Sequence, residues 1–178
     1  MRGDIERVFF TEAEIKAKVE ELGARISGDY EGLEPVFIGV LKGSFVFMAD
    51  LMRCIDVYCD VDFMATSSYG AGTSTTGAVK ITKDLTHNIE KRHIIIVEDI
   101  LDSGMTLSYL TKYLQVRNPA SIKICTLLDK PSRRKTDINA DYVGFICPDA
   151  FIVGYGLDYA ERYRNLPYIG VLKSEIYE

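Results

Sequence analysis

The sequence predicts an α/β fold in which a mainly parallel sheet is flanked by helices. Apolar runs that suit strands buried on both faces alternate with segments of helical spacing, as expected of strands joined by right-handed crossovers. The clearest example lies at 93–119, where an isoleucine-rich run leads through a short polar turn into a helical stretch closed by Asn118-Pro119. With 178 residues, the chain is expected to form one domain that spans residues 1–178.

Local spacing places the other elements in chain order. Thr11 and Glu14 form a capping-box pattern before a run whose apolar residues recur every three or four positions, which predicts a helix over 11–27. Further helices are expected at 45–53 and from the turn after residue 97 to just before Pro119. Apolar or alternating runs predict strands at 36–41, 57–64, 79–85, 93–97, 122–128, 142–146, 151–155 and 168–172.

Composition and charge exclude several classes of protein. Hydrophobic residues make up 47% of the chain and charged residues 26%, which is ordinary for a globular domain. The formal net charge of −5 argues against a nucleic-acid partner, because phosphates need a basic surface. No apolar run approaches the roughly 20 residues of a membrane span, and the amino terminus lacks a signal-peptide pattern. We therefore expect a cytoplasmic protein with no membrane partner.

Residues 97–106, VEDILDSGMT, form the leading candidate site. In an open parallel sheet, ligands bind beyond the carboxyl ends of the strands, and this segment follows a predicted strand. Glu98, Asp99 and Asp102 bring three carboxylates together there. The turn then opens a helix, whose free N–H groups and positive dipole end suit a phosphate group.

The two halves of this turn suit the two halves of a sugar phosphate. Ionised carboxylates only accept hydrogen bonds, so Glu98 and Asp99 suit ribose hydroxyls, either directly or through a divalent cation. Ser103 and Thr106 add hydroxyl donors for the phosphate, and Gly104 lets the backbone approach it closely. A capped helix with nothing bound explains any one of the acids. Three clustered carboxylates, however, repel one another unless a cation or ligand offsets the repulsion.

The segment VEDILDSGMT resembles the phosphoribosyl diphosphate signature of type I phosphoribosyltransferases. The likeness covers nearly the whole chain, in the order seen in hypoxanthine-guanine phosphoribosyltransferases. The other matching segments are LKGS at 41–44, SSYG at 67–70, LLDKPSRR at 127–134 and PDAFIVGYGLDYAERYRNLP at 148–167. The resemblance implies the type I phosphoribosyltransferase fold, with a small hood region beside the main sheet.

The same resemblance implies the reaction and its participants. We expect a purine salvage enzyme that transfers 5-phosphoribosyl from 5-phosphoribosyl 1-diphosphate to a 6-oxopurine, with Mg²⁺ as cofactor. A homodimer or homotetramer is expected as well. Glu98 and Asp99 are expected to bind the ribose hydroxyls and the metal, and Asp102 to act as the general base toward N7 of the purine. The loop expected to hold the 5-phosphate consists of Asp102, Ser103, Gly104, Met105 and Thr106.

Residues outside the signature are expected to bind the purine and the diphosphate. Lys130 would donate to the exocyclic oxygen at purine position 6, which favours a 6-oxopurine over adenine. Phe151 would stack on the purine, while the backbone of Ile152 reads its edge. The remaining assignments are purine and magnesium contacts for Asp158, diphosphate contacts for Lys42, Gly43 and Arg164, and a lid loop at Ser68 and Tyr69.

Some of these residues have a plainer interpretation when taken alone. Lys130 is by itself typical of a solvated surface lysine, and Phe151 and Ile152 are more typical of a core. The basic run at 133–135 is interpreted as a solvated loop rather than as catalytic groups.

Two other functions stay open. The first is a regulatory protein that keeps the phosphoribosyl diphosphate pocket as a sensor and binds RNA or DNA, which the acidic net charge disfavours. The second is an enzyme of the same fold that uses a pyrimidine, xanthine or adenine, which Lys130 with Phe151 disfavours. A purely structural domain leaves the acidic turn unexplained. The sequence does not rank hypoxanthine, guanine and xanthine.

Overall fold

The computed structural model describes residues 1–68 and 79–177. The strands are β1 (Ile5–Phe10), β2 (Val36–Leu41), β3 (Asp60–Ser68), β4 (Val79–Lys83), β5 (His93–Leu101), β6 (Ser121–Asp129), β7 (Tyr142–Ile146), β8 (Ile152–Val153) and β9 (Ile169–Leu172). The helices are α1 (Glu12–Asp29), α2 (Phe45–Met52), α3 (Met105–Gln115) and α4 (Ser174–Tyr177).

The main sheet has six strands in the order β4-β3-β2-β5-β6-β7. Its strands are parallel except for β4, which runs antiparallel to β3 at the edge. Phe37 and Ile95 face a core shared with α1 and α2, whereas Ile38 and Ile96 face a core shared with α3. Because both faces of β2 and β5 are covered, their sequences are apolar without alternation. The predicted α/β class with helices on both faces is confirmed.

A second sheet of three antiparallel strands, in the order β1-β9-β8, forms the small hood region. It has its own small core, in which Val153 and Leu172 pack with Tyr163 and Leu166. Residues 154–168 connect β8 to β9 and carry a run of tight turns. The hood therefore brings the segment after β8 over the carboxyl end of the main sheet.

Several element boundaries differ from those predicted. The helix at 11–27 is confirmed, including its capping box, in which Thr11 N donates to Glu14 at 2.8 Å. The strand expected at 57–64 begins only at Asp60. Val57 and Cys59 lie in the preceding loop, where their apolar side chains pack against the core. The strand expected at 151–155 is shortened to two residues, and β1 and α4 were not predicted.

Across residues 1–68 and 79–177, none of the helices combines the length and the apolar character that crossing a bilayer requires.

Candidate functional site

The candidate site opens where two neighbouring strands separate. Strands β2 and β5 are paired from Val36↔Ile94 to Gly39↔Val97, while β5 stays paired with β6 as far as Leu101. The strand was predicted to end at residue 97, but β5 continues to Leu101. Its last residues therefore include Glu98 and Asp99. The edge that β5 presents beyond Val97 forms one wall of a cleft at the carboxyl end of the sheet.

Asp99 lies in tight contact with the loop that follows β2. It is 9% exposed, and a Cβ atom added to Gly43 would come within 1.8 Å of its Oδ2 atom. Gly156, which has φ of +100°, also packs closely against this loop, and a Cβ added to it would lie 2.1 Å from Gly43 O. The Leu41-Lys42 peptide, which precedes Gly43, is cis. Three segments predicted separately, the β5 end, the loop at 41–44 and the turn near 156, thus meet at one point.

The carboxylates at the end of β5 are short of hydrogen-bond partners. Glu98 is half-buried, but its Oε2 atom is enclosed and has no partner among the described residues. Burial, reinforced by the charge of Asp99, raises the pKa of Glu98 well above its usual range. Burial also raises the pKa of Asp99 to about 6, although the N–H of Ile100 donates to its Oδ1 atom at 2.8 Å. This pair of acids would be stabilised by hydroxyl donors or a cation.

The start of α3 lies directly after these acids. Gly104 precedes the helix with φ of +79°, and an added Cβ would come within 2.4 Å of Thr136 Oγ1. Glycine is therefore favoured at this position both by backbone conformation and by space. The N–H of Met105 points back toward Ser103 Oγ at 3.4 Å, a long contact that a stronger acceptor could replace. The amides of 104–106 form the anion-binding end of a helix.

The side chain of Arg134 is hydrogen-bonded to the backbone of the turn at 102–104. Its Nε atom donates to Asp102 O at 3.1 Å and its Nη1 atom to Ile138 O at 2.7 Å, while Nη2 pairs with the Asp129 carboxylate. The Arg134 side chain is 14% exposed. The interpretation of 133–135 as a solvated loop is therefore wrong for Arg134, since residue type alone does not reveal carbonyl groups that face a guanidinium. A sequence feature that could have indicated this ion pair is the position of Arg134, five residues after Asp129, the acid that ends β6.

A cavity of about 400 Å³ lies on the other side of Asp102. Lys130 lines it and is 5% exposed, with Nζ donating to Ala150 O at 2.7 Å, so it is not a solvated surface lysine. Phe151 also lines it and is 39% exposed, so the core interpretation fails for Phe151 but holds for Ile152 at 7%. Burial of an ammonium beside an exposed aromatic ring is typical of a ligand site rather than of packing.

Basic side chains meet near the turn that follows β8. Arg164 donates to Gly156 O at 2.7 Å and pairs with Asp158 at 2.8 Å, while its Nε atom is buried and lacks a partner in the described chain. Lys42 pairs with Glu161 at 2.9 Å, and Arg164 lies 3.5 Å from the same carboxylate. The structure therefore brings Lys42 and Arg164 together. Sequence reasoning missed Glu161, which has no distinguishing local pattern.

The other predicted residues are placed less fully. Ser68 is the last residue of β3, and Tyr69 lies outside the described residues, so the lid loop stays a prediction. In the described ranges, no group of three or more histidine, cysteine, aspartate or glutamate side chains is arranged to hold a metal. Ile100 and Tyr177 line the cavity next to Phe151 and were not singled out from the sequence.

Comparisons with known proteins agree on one family. A model of the phosphoribosyl transferase domain matches residues 10–160. The chain is 61% identical to a protein of Bacillus subtilis (strain 168) named hypoxanthine-guanine phosphoribosyltransferase, over 100% of this chain and 99% of that one. It superimposes with a TM-score of 0.96 on a crystal structure of a hypoxanthine phosphoribosyltransferase from Staphylococcus aureus, at 53% identity, covering 100% of this chain and 97% of that one.

A longer relative is also similar. The bifunctional protein TilS/HprT of Listeria monocytogenes serotype 4b is 54% identical over 99% of this chain. The matched region makes up 27% of that protein.

Proposed function

The chain belongs to the phosphoribosyltransferase family, and from that premise we propose how its residues carry out the reaction. It is a purine salvage enzyme that transfers 5-phosphoribosyl from 5-phosphoribosyl 1-diphosphate to hypoxanthine and/or guanine, giving IMP or GMP and diphosphate. The observation that carries the site assignment is the end of β5, where enclosed carboxylates stand beside the open start of α3.

Glu98 and Asp99 are proposed to bind the ribose hydroxyls of the donor. Asp99 is 9% exposed, and the Oε2 atom of Glu98 is enclosed and lacks a partner in the described chain. Hydroxyl groups would supply the missing donors without adding negative charge. The 5-phosphate would then lie at the amides of 103–106, in the turn that Gly104 forms with φ of +79° before α3.

Asp102 is proposed as the general base. Its Oδ1 atom is buried and has no partner within the described ranges, and the residue lines the cavity with Lys130 and Phe151. As N9 of the purine bonds to C1 of the ribose, N7 must lose its proton, and the carboxylate can accept it. Such transfers are typically worth about a hundredfold to ten-thousandfold in rate.

Lys130 is proposed to select the base, together with Phe151, Ile152 and Asp158. One N–H of the Lys130 ammonium is taken by Ala150 O, which leaves two donors for a carbonyl oxygen in the cavity. An ammonium has no acceptor for the amino group of adenine, so a 6-oxopurine is favoured. Phe151 offers a ring face for stacking, and Ile152 lines the same cavity. Asp158, in the connection between β8 and β9, is proposed as a further purine contact.

Mg²⁺ is proposed as the cofactor, with Glu98 and Asp99 as its protein ligands and Asp158 nearby. The donor set fits, because magnesium is commonly held by one or two carboxylates, waters and substrate phosphates rather than by a full protein cage. When bound, the ion would neutralise charge on the diphosphate as it leaves. Lys42, Gly43 and Arg164 are proposed to hold that diphosphate, and Glu161 would then give up its pairs with Lys42 and Arg164.

Two parts of the proposal rest on the family alone. The lid loop would carry Ser68 and Tyr69 over the bound donor and exclude water. The chain would assemble as a homodimer or homotetramer, which sedimentation at micromolar concentration tests directly.

The function is tested by diphosphate release with magnesium and the donor, comparing hypoxanthine, guanine, xanthine and adenine. We expect turnover with hypoxanthine or guanine and at least a hundredfold lower kcat/KM with adenine. Turnover of adenine alone would contradict the proposed role of Lys130. Loss of all base turnover together with salt-dependent binding of RNA or DNA would instead support a regulatory protein.

A further inference from the structure

An aromatic cluster lies at the mouth of the base cavity, and the residue that completes it comes from the end of the chain. The ring of Tyr177 is nearly parallel to that of Phe151, with centroids 4.4 Å apart and an interplanar angle of 16°. Tyr159 meets Phe151 edge-on at 5.6 Å and 84°, and meets Tyr177 at 6.5 Å and 70°. Both geometries are those that aromatic pairs prefer.

The position of Tyr177 is set by the hood. Its neighbour Ile176 packs into the hood core with Leu172 and Tyr159, and the N–H of Lys173 donates to Asp4 O at 3.0 Å. Helix α4 is therefore attached at its start to strands of the second sheet. Tyr177 reaches the cavity on an element that the fold holds in place.

Two rings of the cluster, those of Phe151 and Tyr177, are not part of a buried core. Phe151 is 39% exposed and Tyr177 36%, and all four residues of α4 are at least partly exposed. Both rings line the cavity of about 400 Å³ that also contains Asp102 and Lys130. Large aromatic side chains that stay half-open at a cavity are better explained by a flat ligand than by folding.

We propose that Tyr177 is a positioning residue of the purine subsite, which stacks on one face of Phe151 and so presents the other face to the base. This inference rests on the proposed function, because it takes Phe151 as the ring on which the purine stacks. A phenylalanine at the surface rotates freely about its side-chain bonds, whereas one held by a parallel ring and an edge-on ring loses that freedom before the base arrives. Pre-ordering of this kind lowers the entropy lost on binding.

The test compares Tyr177→Ala and Tyr177→Phe with the unchanged protein, using Tyr58→Ala as a control at a surface tyrosine that is 87% exposed. Initial rates are measured with hypoxanthine varied at saturating donor and magnesium, and then with the donor varied at saturating hypoxanthine. For Tyr177→Ala we expect the KM for hypoxanthine to rise about 3- to 10-fold, in line with a stacking contact, and the KM for the donor to change less than about 2-fold. Tyr177→Phe keeps the ring and should match the unchanged protein, as should Tyr58→Ala.

Three results with the Tyr177→Ala variant would overturn the inference. An unchanged KM for hypoxanthine in Tyr177→Ala would remove Tyr177 from the base site, and a lowered KM would mean that its ring obstructs the base. Equal rises in both KM values, with a lower thermal midpoint, would indicate general loss of structure. Absence of hypoxanthine turnover in the unchanged protein would instead overturn the proposed function, and this inference with it.

Discussion

The half of the cleft proposed to bind the donor (the donor half) and the half proposed to bind the base (the base half) differ in how well their polar groups are satisfied. At the end of β5, Glu98 Oε2 is enclosed without a partner among the described residues, and burial raises the pKa of both Glu98 and Asp99. In the base half, Lys130 already donates to Ala150 O and Phe151 is already stacked on Tyr177. Glu98 in the donor half therefore lacks a partner until a ligand binds, whereas the lysine and the ring of the base half are held in place before a ligand binds.

This difference separates two kinds of contribution to the same reaction. Enclosed acids without partners destabilise the free protein and are relieved by hydroxyls or a cation. A lysine that already donates a hydrogen bond and a ring that is already packed add little strain to the free protein. They contribute to binding through the shape of the cavity and the positions of its hydrogen-bond donors. Substitutions in the two halves should therefore change different quantities.

The largest effect is expected at the boundary between the halves, for Asp102→Asn. The amide cannot accept the proton from the purine, so kcat should fall by about a hundredfold to ten-thousandfold. Donor affinity, measured by calorimetry with magnesium, should stay within about 3-fold because the backbone of the loop is unchanged. Asp60→Asn, at a carboxylate that is 64% exposed, is the control and should leave kcat unchanged. A normal kcat in Asp102→Asn would remove the residue as the base.

The next effect concerns the support behind the donor half, tested by Arg134→Met. The change leaves Asp129, which is 14% exposed, without its guanidinium partner, and frees two carbonyl groups. Removing one partner of a buried pair typically costs 3 to 5 kcal/mol, so we expect the free energy of unfolding in urea to fall by about 3 kcal/mol.

Its neighbour provides the matched control. Arg133 is 53% exposed and pairs with Asp149 at 2.8 Å, so Arg133→Met should change the free energy of unfolding by less than about 1 kcal/mol. Equal losses in the two variants would show that the enclosed contacts of Arg134 add nothing.

The smallest effect is a pH dependence of stability in the donor half, tested by Asp99→Asn without ligands. The pKa of Asp99 is raised from 3.8 to about 6, so the folded protein binds this proton more tightly than the unfolded chain does. The stabilisation is present below about pH 4 and is lost as pH rises through about 6. The asparagine variant does not titrate there. Its free energy of unfolding should therefore exceed that of the unchanged protein by at most roughly 3 kcal/mol at pH 8 and by little at pH 4. A difference of the opposite sign at pH 8 would contradict the burial argument.

Local pattern was enough to predict the mainly parallel sheet and the position of the acidic residues at the end of one of its strands. Strands β2 and β5 are buried on both faces, and the predicted acidic turn lies where they separate. The ends of elements were harder, because β5 continues through the acids to Leu101 by pairing with β6. Strand β1 was missed because its partner is β9, more than 150 residues away, and its own residues show no buried alternation.

The base half could not be derived from local pattern. Lys130 is buried because Ala150 O comes to it from another segment, and Arg134 is enclosed because the carbonyl of Asp102 faces it. Neither of these two contacts with a carbonyl group can be inferred from the spacing of residues along the chain. Family resemblance named Lys130 and Phe151 as purine-binding residues, and the two line one cavity, whereas Tyr177 was found only from the packing of the hood. The assignment of residues 1–178 to one domain stays a prediction.

The most direct test of the account is a crystal structure of the protein with 5-phosphoribosyl 1-diphosphate and magnesium. We predict the 5-phosphate at the amides of residues 103–106 and the ribose hydroxyls within hydrogen-bond distance of Glu98 or Asp99. A donor bound at another place on the chain, or bound here with its phosphate against the carboxylates, would contradict it.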